Sequence, residues 1–170
     1  ELRFGLKERV DHTGAIIEDL TPEAISALAV LLEEAKVDAA AVSFLFSFLN
    51  TAHEEAVLEA LRELPGKPFI SISSRVLPEF REYERTSTVV VNSYVGQIMA
   101  SYLGELASSL GDGLRIMQSS GGSITSRLAS EQPVRTILSG PAGGVVGAFY
   151  TGVQAGYPEI ITLDMGGTST

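Results

Sequence analysis

The chain contains no cysteine and no tryptophan, and it is short of charge of one sign. The first absence excludes disulfides and thiolate chemistry, so no covalent staple and no cysteine-ligated metal needs considering. Charged residues are only 19% of the 170, and the twelve basic side chains are outnumbered by 21 acidic ones, for a net charge of −9. A nucleic-acid footprint needs a basic face, and no stretch supplies one. No apolar run is long enough to span a bilayer and no signal-like segment opens the sequence. The expectation is therefore a cytoplasmic protein with no membrane and no nucleic-acid partner. What is abundant is apolar residues, at 45%, which is enough for one ordinary domain with large buried elements.

Charge and glycine are unevenly placed. From Gly113 onward three acids (Glu131, Glu159, Asp164) balance three arginines (Arg115, Arg127, Arg135), so the acidic excess lies in residues 1 to 112. Twelve of the seventeen glycines fall at or after Gly111. The first part reads as scaffold, the second as backbone shaped around something. The last stretch is the most suggestive. Glu159-Ile160-Ile161-Thr162-Leu163 has the composition of a buried strand, and Asp164-Met165-Gly166-Gly167-Thr168-Ser169-Thr170 follows it. Glycines let backbone N–H groups turn toward an anion, Thr168 can donate to a phosphate oxygen, and Asp164 can orient a magnesium-bound water. The alternative is an ordinary Gly-Gly hairpin.

Upstream, Arg3 to Val10 alternates and Asp11-His12-Thr13-Gly14 is turn chemistry, so a hairpin returning through Ala15-Ile16-Ile17 is expected, with His12 in water. Thr21-Pro22-Glu23 starts a helix with Ile25, Leu28, Ala29 and Leu32 on one face. Val37 to Leu49 fits a central parallel strand covered on both faces. Asn50 is placed to cap the next helix, buried through Val57, Leu58, Leu61 and Leu64 and stopped by Pro65-Gly66; Phe69 to Ser73 then forms the second strand of a β-α-β unit. His53 lies beyond the end of the first strand, where open α/β sheets bind ligands, though a solvated first-turn histidine is the plainer reading.

Arg81-Glu82-Tyr83-Glu84-Arg85-Thr86-Ser87-Thr88 reads as a salt-bridged helix start, with Arg81 and Arg85 able to clamp a carboxylate if they converge. In the long helix that follows, Val90, Tyr94, Ile98, Tyr102, Leu106 and Leu110 recur every fourth residue beside Val91, Val95, Met99 and Leu103, which predicts a wide buried face. Leu114 to Gln118 is a strand, and Ser119-Ser120-Gly121-Gly122-Ser123 is either a polar turn or a ligand loop. Pro133 to Leu138 is expected to be extended, with a helix beginning at Pro141. Glycines at 143, 144 and 147 cost that helix about 1 kcal/mol each against alanine, so another element should pack on the smooth face they make. A dinucleotide-binding unit is the alternative here. Pro141 interrupts its G-x-G, however, and Gly-Gly-Thr directly follows the acid.

A small-residue helix before a strand ending in D-x-G-G-T resembles the actin, sugar-kinase and heat-shock chaperone superfamily. The set of motifs narrows this: E-R-V-D-x-x-G from Glu8, Asn50 with His53-Glu54, R-E-Y-E-R-T-S-T from Arg81, M-Q-S-S-G-G from Met117, P-V-R-T-I-L-S-G-P-A-G-G-V-V-G from Pro133 and D-M-G-G-T-S-T from Asp164. In this order they are similar to the hydantoinase A/oxoprolinase family, which includes N-methylhydantoinases, 5-oxoprolinases and acetone carboxylase beta-type subunits. Ser120 stands where that family usually has asparagine, and Ala52 where proline is common.

The resemblance implies an α/β fold of ribonuclease-H-like (actin-like ATPase) type. It implies a mixed sheet with flanking helices, incomplete because the chain is read as an internal fragment. Residues 1–96 would end the family's N-terminal domain and 97–170 would begin its hydantoinase A domain. The implied activity is ATP-dependent opening of a cyclic amide, with a subunit of a ketone carboxylase as the alternative. The implied cofactors are ATP and Mg2+, and the implied partner is a hydantoinase B-type subunit or domain. Asp164 would hold magnesium through water, and Asp164, Gly166, Gly167, Thr168 and Ser169 would hold phosphates. Pro141, Gly143, Gly144 and Gly147 would belong to an interlobe hinge helix. Ser120, Gly121, Gly122, Arg81, Arg85 and His53 are the substrate candidates. The first phosphate loop and the adenosine segment would lie outside these residues, so the 170 alone are expected not to hydrolyse ATP.

Overall fold

The computed structural model describes residues 2–111 and 113–166. Helices and short strands alternate through two compact units, residues 1–98 and 99–170, and the division falls within one long helix. The family-level expectation of an α/β chain is met, but not the expectation of one mixed sheet. Among the described residues there are three separate two-stranded sheets.

The first unit opens with an antiparallel hairpin, β1 (Arg9–Val10) and β2 (Ile16–Glu18), much shorter than the predicted Arg3–Val10 strand. Asp11 shapes its turn by accepting from the Thr13 amide, the Thr13 hydroxyl and the Ala15 amide. Helix α1 (Pro22–Ala35) begins as its sequence predicts. Thr21 accepts from the Ala24 amide, Pro22 takes the first position, and Lys36 closes the helix in the left-handed conformation. Strand β3 (Ala39–Val42), helix α2 (Ala52–Arg62) and strand β4 (Phe69–Ile72) form the expected β-α-β unit, with β3 and β4 parallel.

Pleating sends alternate β4 residues to opposite faces. Ile70 and Ile72 join Val42, Val57, Leu58, Leu61 and the α1 residues Ile25, Leu28 and Leu32 in one apolar core. Each such side chain, when fully buried, stabilises the fold by roughly 1.5–3 kcal/mol. Phe69 and Ser71 face the other way. After the single turn α3 (Ser73–Val76), the long helix α4 (Glu82–Leu110) meets them.

Here the sequence prediction fails. The period-four stripe of α4 is largely outside: Tyr94 is 83% and Ile98 75% exposed, and Val90, Tyr102 and Leu110 are exposed too. The buried stripe is Arg85, Val89, Asn92, Ser93, Gly96 and Leu103. The reason lies in what the sheet presents. Asn92 donates to Ser71 Oγ at 2.8 Å, Ser93 donates to the Ala40 carbonyl at 3.0 Å, and Gly96 leaves room for the Phe69 ring. Hydrogen bonding and clearance, not hydropathy, set the rotation of the helix.

The second unit has a smaller core of Leu103, Ile124 and Ala129, with Met99, Leu106, Ile116 and Leu128 packed around it. Strands β5 (Arg115–Met117) and β6 (Ser123–Thr125) form an antiparallel hairpin, and α5 (Ser126–Glu131) starts where Thr125 accepts from the Leu128 amide. The expected extended segment at Pro133 is instead a 3-10 turn, Pro133–Thr136, closed by the Thr136 hydroxyl on the Pro133 carbonyl at 2.8 Å. Helix α6 (Ser139–Gln154) begins two residues before Pro141, which sits in the first turn, where a missing N–H breaks no helical bond.

The strand predicted at 159–163 is absent. Residues 158–166 carry no strand, and Ile161 and Leu163 are exposed. Apolar β-branched composition makes a strand only where a neighbour supplies the ladder, and none of the three sheets does so.

An ideal Cβ at Gly96 would fall 2.2 Å from the Phe69 ring. Gly96→Ala should therefore lower stability by about 1–3 kcal/mol or more, read as a lower urea midpoint, and Phe69→Leu in the same chain should restore part of it. Asp11 gives a prediction with a sign. The Thr13 hydroxyl and amide hold its carboxyl below the ordinary range, so the turn bonds are intact at neutral pH and are lost as pH falls through that depressed value. Amide exchange at Thr13 and Ala15 should rise there relative to the α2 amides.

Candidate functional site

Strand β3 ends because the backbone of the next residues is claimed by side chains. The Phe44 amide donates to Glu54 Oε1 at 2.9 Å, and the Phe44 carbonyl accepts from Arg85 Nη2 at 2.6 Å. Neither group is left for a sheet ladder, so the predicted strand through Leu49 stops at Val42 and becomes a turn, in which Phe46 adopts a φ of 57°.

Glu54 and Arg85 are both fully buried. Glu54 also accepts from the Ser73 hydroxyl at 2.6 Å and the Ser74 amide at 2.8 Å, and Ser47 Oγ lies 3.1 Å from Ser73 Oγ. Arg85 donates to the Glu79 carbonyl at 3.1 Å and stands 5.3 Å over the Phe48 ring. One carboxylate thus ties together the ends of β3 and β4 and the start of α2, while one guanidinium ties α4 to the same turn.

The neighbouring residues of α2 hold the hairpin. Asn50 donates to the Gly14 carbonyl at 2.9 Å and accepts from the Ala52 amide, so its side chain acts just ahead of the helix while Thr51 takes the cap position. His53 is not the solvated residue expected. Its side chain is 5% exposed, with Nδ1 2.8 Å from Glu8 Oε2 and Nε2 3.0 Å from Asp19 Oδ1. The two carboxylates sit on opposite ring nitrogens and share no point where an ion would meet both. Among the described residues no group of three His, Asp or Glu is arranged to hold a metal.

Arg81 and Arg85 do not form a clamp. Arg81 is exposed and paired with Glu84 at 3.7 Å, as a solvated helix start would be, whereas the Arg85 fork donates to two carbonyls inside the protein. Exposed Ser120 occupies the β5–β6 turn with Gly121 and Gly122, both at positive φ (83° and 72°), where a residue with a Cβ would be strained. The neighbouring Ser119 reaches further. Its amide and hydroxyl both donate to the Arg135 carbonyl, and its Oγ accepts from the Leu138 amide at 3.0 Å, which fixes the start of α6 against the hairpin.

On α6 the glycines are approached at three places, most tightly at Gly152, where an added Cβ would fall 2.9 Å from the Tyr157 carbonyl oxygen. An added Cβ would lie 3.8 Å from Met117 at Gly143 and 3.7 Å from Asp164 Oδ2 at Gly144, while Gly147 and Gly140 face open space. Asp164 is exposed and makes no hydrogen bond or ion pair with a described residue, and Gly166 follows it. Gly167, Thr168 and Ser169 lie outside the described residues.

Sequence reasoning missed Glu54, which reads as an ordinary acid near a helix N-terminus, and also Asn92, Ser93 and Ser119. The available signal was the juxtaposition of serines at the end of β4 with an acid in the first turn of the preceding helix. It had no way to indicate which of them would be buried.

An α/β chain whose motif residues bind its own strand ends, followed by a glycine-bearing helix and an exposed aspartate, defines a class that the comparisons resolve. The hydantoinase/oxoprolinase family model matches residues 85–170, and the model of the hydantoinase/oxoprolinase N-terminal region matches residues 1–64. The chain belongs to the hydantoinase/oxoprolinase family. Caprolactamase subunit alpha of Pseudomonas jessenii is 34% identical over 174 residues, which cover 99% of this chain and 25% of that protein. The crystal structure of ATP-dependent caprolactamase from the same organism matches with a TM-score of 0.81 at 32% identity, covering 96% of this chain and 24% of that one. The nucleotide-free structure of acetone carboxylase, an ATP-dependent carboxylating enzyme, matches with a TM-score of 0.77 at 29% identity, covering 90% and 22%. The chain thus spans about a quarter of the length of the first relatives it matches.

The buried Glu54 and Arg85 lend themselves to a thermodynamic cycle. Glu54→Gln and Arg85→Met should each cost about 1–3 kcal/mol, since the first weakens and the second removes charge-assisted hydrogen bonds to the buried Phe44 peptide. The double variant should cost less than the sum by about 1 kcal/mol, measured by urea unfolding. Strict additivity would mean that the Phe44 peptide carries no coupling between them.

Proposed function

We propose that the chain is the portion of an ATP-dependent cyclic-amide hydrolase that presents the second phosphate-binding loop. The observation that carries this reading is the chain-long likeness to ATP-dependent caprolactamase, together with an exposed Asp164, without a partner among the described residues, beside the Gly144 face of α6. A carboxylate with no described partner, next to a helix position without a side chain, fits a hydrated magnesium ion and a phosphate chain better than a packed core does. Asp164 would position magnesium through its water, and Gly166, Gly167, Thr168 and Ser169 would turn N–H and hydroxyl donors toward phosphate oxygens. Pro141, Gly143, Gly144 and Gly147 would form the helix about which two lobes move. ATP would supply a phosphoryl group to the ring carbonyl oxygen, making a poor electrophile open to attack by water. The role of these residues is then charge neutralisation and positioning rather than covalent chemistry.

The substrate would be a small cyclic amide, and a hydantoinase B-type subunit or domain would be the partner. Cytoplasmic location belongs to the same reading; among the described residues no helix is long and apolar enough to cross a membrane. In this reading Ser120, Gly121, Gly122, Arg81, Arg85 and His53 stay the substrate candidates, and the burial of Arg85 and His53 favours the other four. A second reading, a subunit of an ATP-dependent ketone carboxylase, draws on the likeness to acetone carboxylase.

Asp164→Asn in the protein that carries this segment should lower magnesium-dependent ATP turnover by at least a hundredfold while leaving the thermal midpoint within a few degrees. Near-normal turnover would remove Asp164 from the magnesium role. Stimulation of turnover by lactams or hydantoins supports the hydrolase, whereas stimulation only by a ketone with bicarbonate supports the carboxylase.

A further inference from the structure

The junction between β2 and α1 rests on one edge of a histidine ring, at Nε2. His53 Nε2 lies 3.0 Å from Asp19 Oδ1 and 3.4 Å from the Leu20 amide nitrogen, while Nδ1 stays 2.8 Å from Glu8 Oε2. The Leu20 amide is at the same time 2.9 Å from Asp19 Oδ1. Nε2 therefore has an acceptor and a donor within reach at once. A carboxylate only accepts, so the Asp19 contact needs a proton on Nε2; with Nδ1 donating to Glu8 as well, that ring is an imidazolium. A peptide N–H only donates, so the Leu20 contact needs a bare Nε2, as in the neutral ring with its proton on Nδ1. In both states Nδ1 donates to Glu8, whose side chain is only 7% exposed, so the ring need not move. Asp19 is different: at 81% exposure it can leave for water once the Nε2 lone pair faces its oxygen.

We infer that His53 is a proton-operated switch on the hairpin–α1 junction. With the ring charged, Asp19 is held against α2 and accepts from both Nε2 and the Leu20 amide. With the ring neutral, Asp19 is released and the Leu20 amide turns to Nε2. The charged groups facing the ring are Glu8, from the segment before β1, and Asp19, from the junction. The others nearby are engaged elsewhere: Glu54 by Phe44, Ser73 and Ser74, Glu55 by Arg75, and Lys7 and Glu18 by one another. The held arrangement is the one with a proton on Nε2, and it is lost when Nε2 gives that proton up, since a bare Nε2 accepts from the Leu20 amide but repels the Asp19 carboxylate. The switch is separate from the nucleotide reading and stands without it.

The experiment is a pH titration by NMR of the protein that carries this segment, labelled with 15N in histidine and leucine and with 13C in the aspartate carboxyl groups, across the range in which histidines change charge, about pH 5 to 8. The ring nitrogens of His53, the backbone amide of Leu20 and the carboxyl carbon of Asp19 are followed together, with exposed His12 as the comparison ring. The expected result is that Leu20 and Asp19 shift with the midpoint of the His53 ring and not with that of His12. In His53→Gln the Leu20 amide should be flat over the same range. The inference is overturned if His53 titrates while Leu20 stays fixed, if the ring keeps one charge state throughout, or if Leu20 moves equally in His53→Gln. Should that variant not fold, the joint titration in the unaltered chain decides between these outcomes.

Discussion

The peptide of Phe44, held at its N–H by a buried carboxylate and at its C=O by a buried guanidinium, is the contact on which the first unit depends. Removing two charges from water is expensive, and attraction between them offsets that only if the remaining lone pairs and protons are satisfied. Glu54 meets this condition through Ser73 and Ser74, and Arg85 largely does so through Glu79 and the Phe48 ring. Because each charge is bonded to the same residue, the two are coupled without touching. What is stabilised is a particular ending of a strand: β3 stops at Val42, the chain turns through a left-handed Phe46, and α2 starts where Asn50 and His53 can reach the hairpin.

That dependence explains which parts of the fold were legible in the sequence. Where local chemistry decides, reading residues in order succeeds. Thr21-Pro22 starts α1 and Lys36 ends it, and the apolar positions of α1 and α2 are the ones that reach the core. The β-α-β order around α2 follows from an apolar run, a helical stripe and a second apolar run. None of these needs knowledge of a distant partner.

Where a partner decides, the same reading fails, in characteristic ways. Hydropathy would turn the period-four stripe of α4 inward, but the sheet opposite offers a serine hydroxyl, a carbonyl and a phenylalanine ring, and the helix turns Asn92, Ser93 and Gly96 toward them. Residues 159–163 have strand composition and no strand beside them. A first-turn histidine such as His53 is expected in water; its burial follows from Glu8, 45 positions earlier, which no local pattern connects to it. Leaving β3 after Val42 likewise required a glutamate on one following helix and an arginine on another.

The motif residues thus divide by how their polar atoms are used. Those of the first unit are turned inward. Asn50, His53, Glu54 and Arg85 all have partners within the fold, and among them only the Arg85 Nε is buried without one. A group already bonded in a buried network has to break those bonds to bind a ligand, so this set is suited to shaping the chain rather than to holding a substrate. Asp164 is the opposite case: an exposed carboxylate, beside a helix face that Gly144 keeps clear, with no described partner to give up. Both kinds of residue belong to the motifs that carry the family resemblance, and the sequence alone does not distinguish them. The state of their hydrogen bonds does, and it directs the search for chemistry toward the glycine-rich end of the chain.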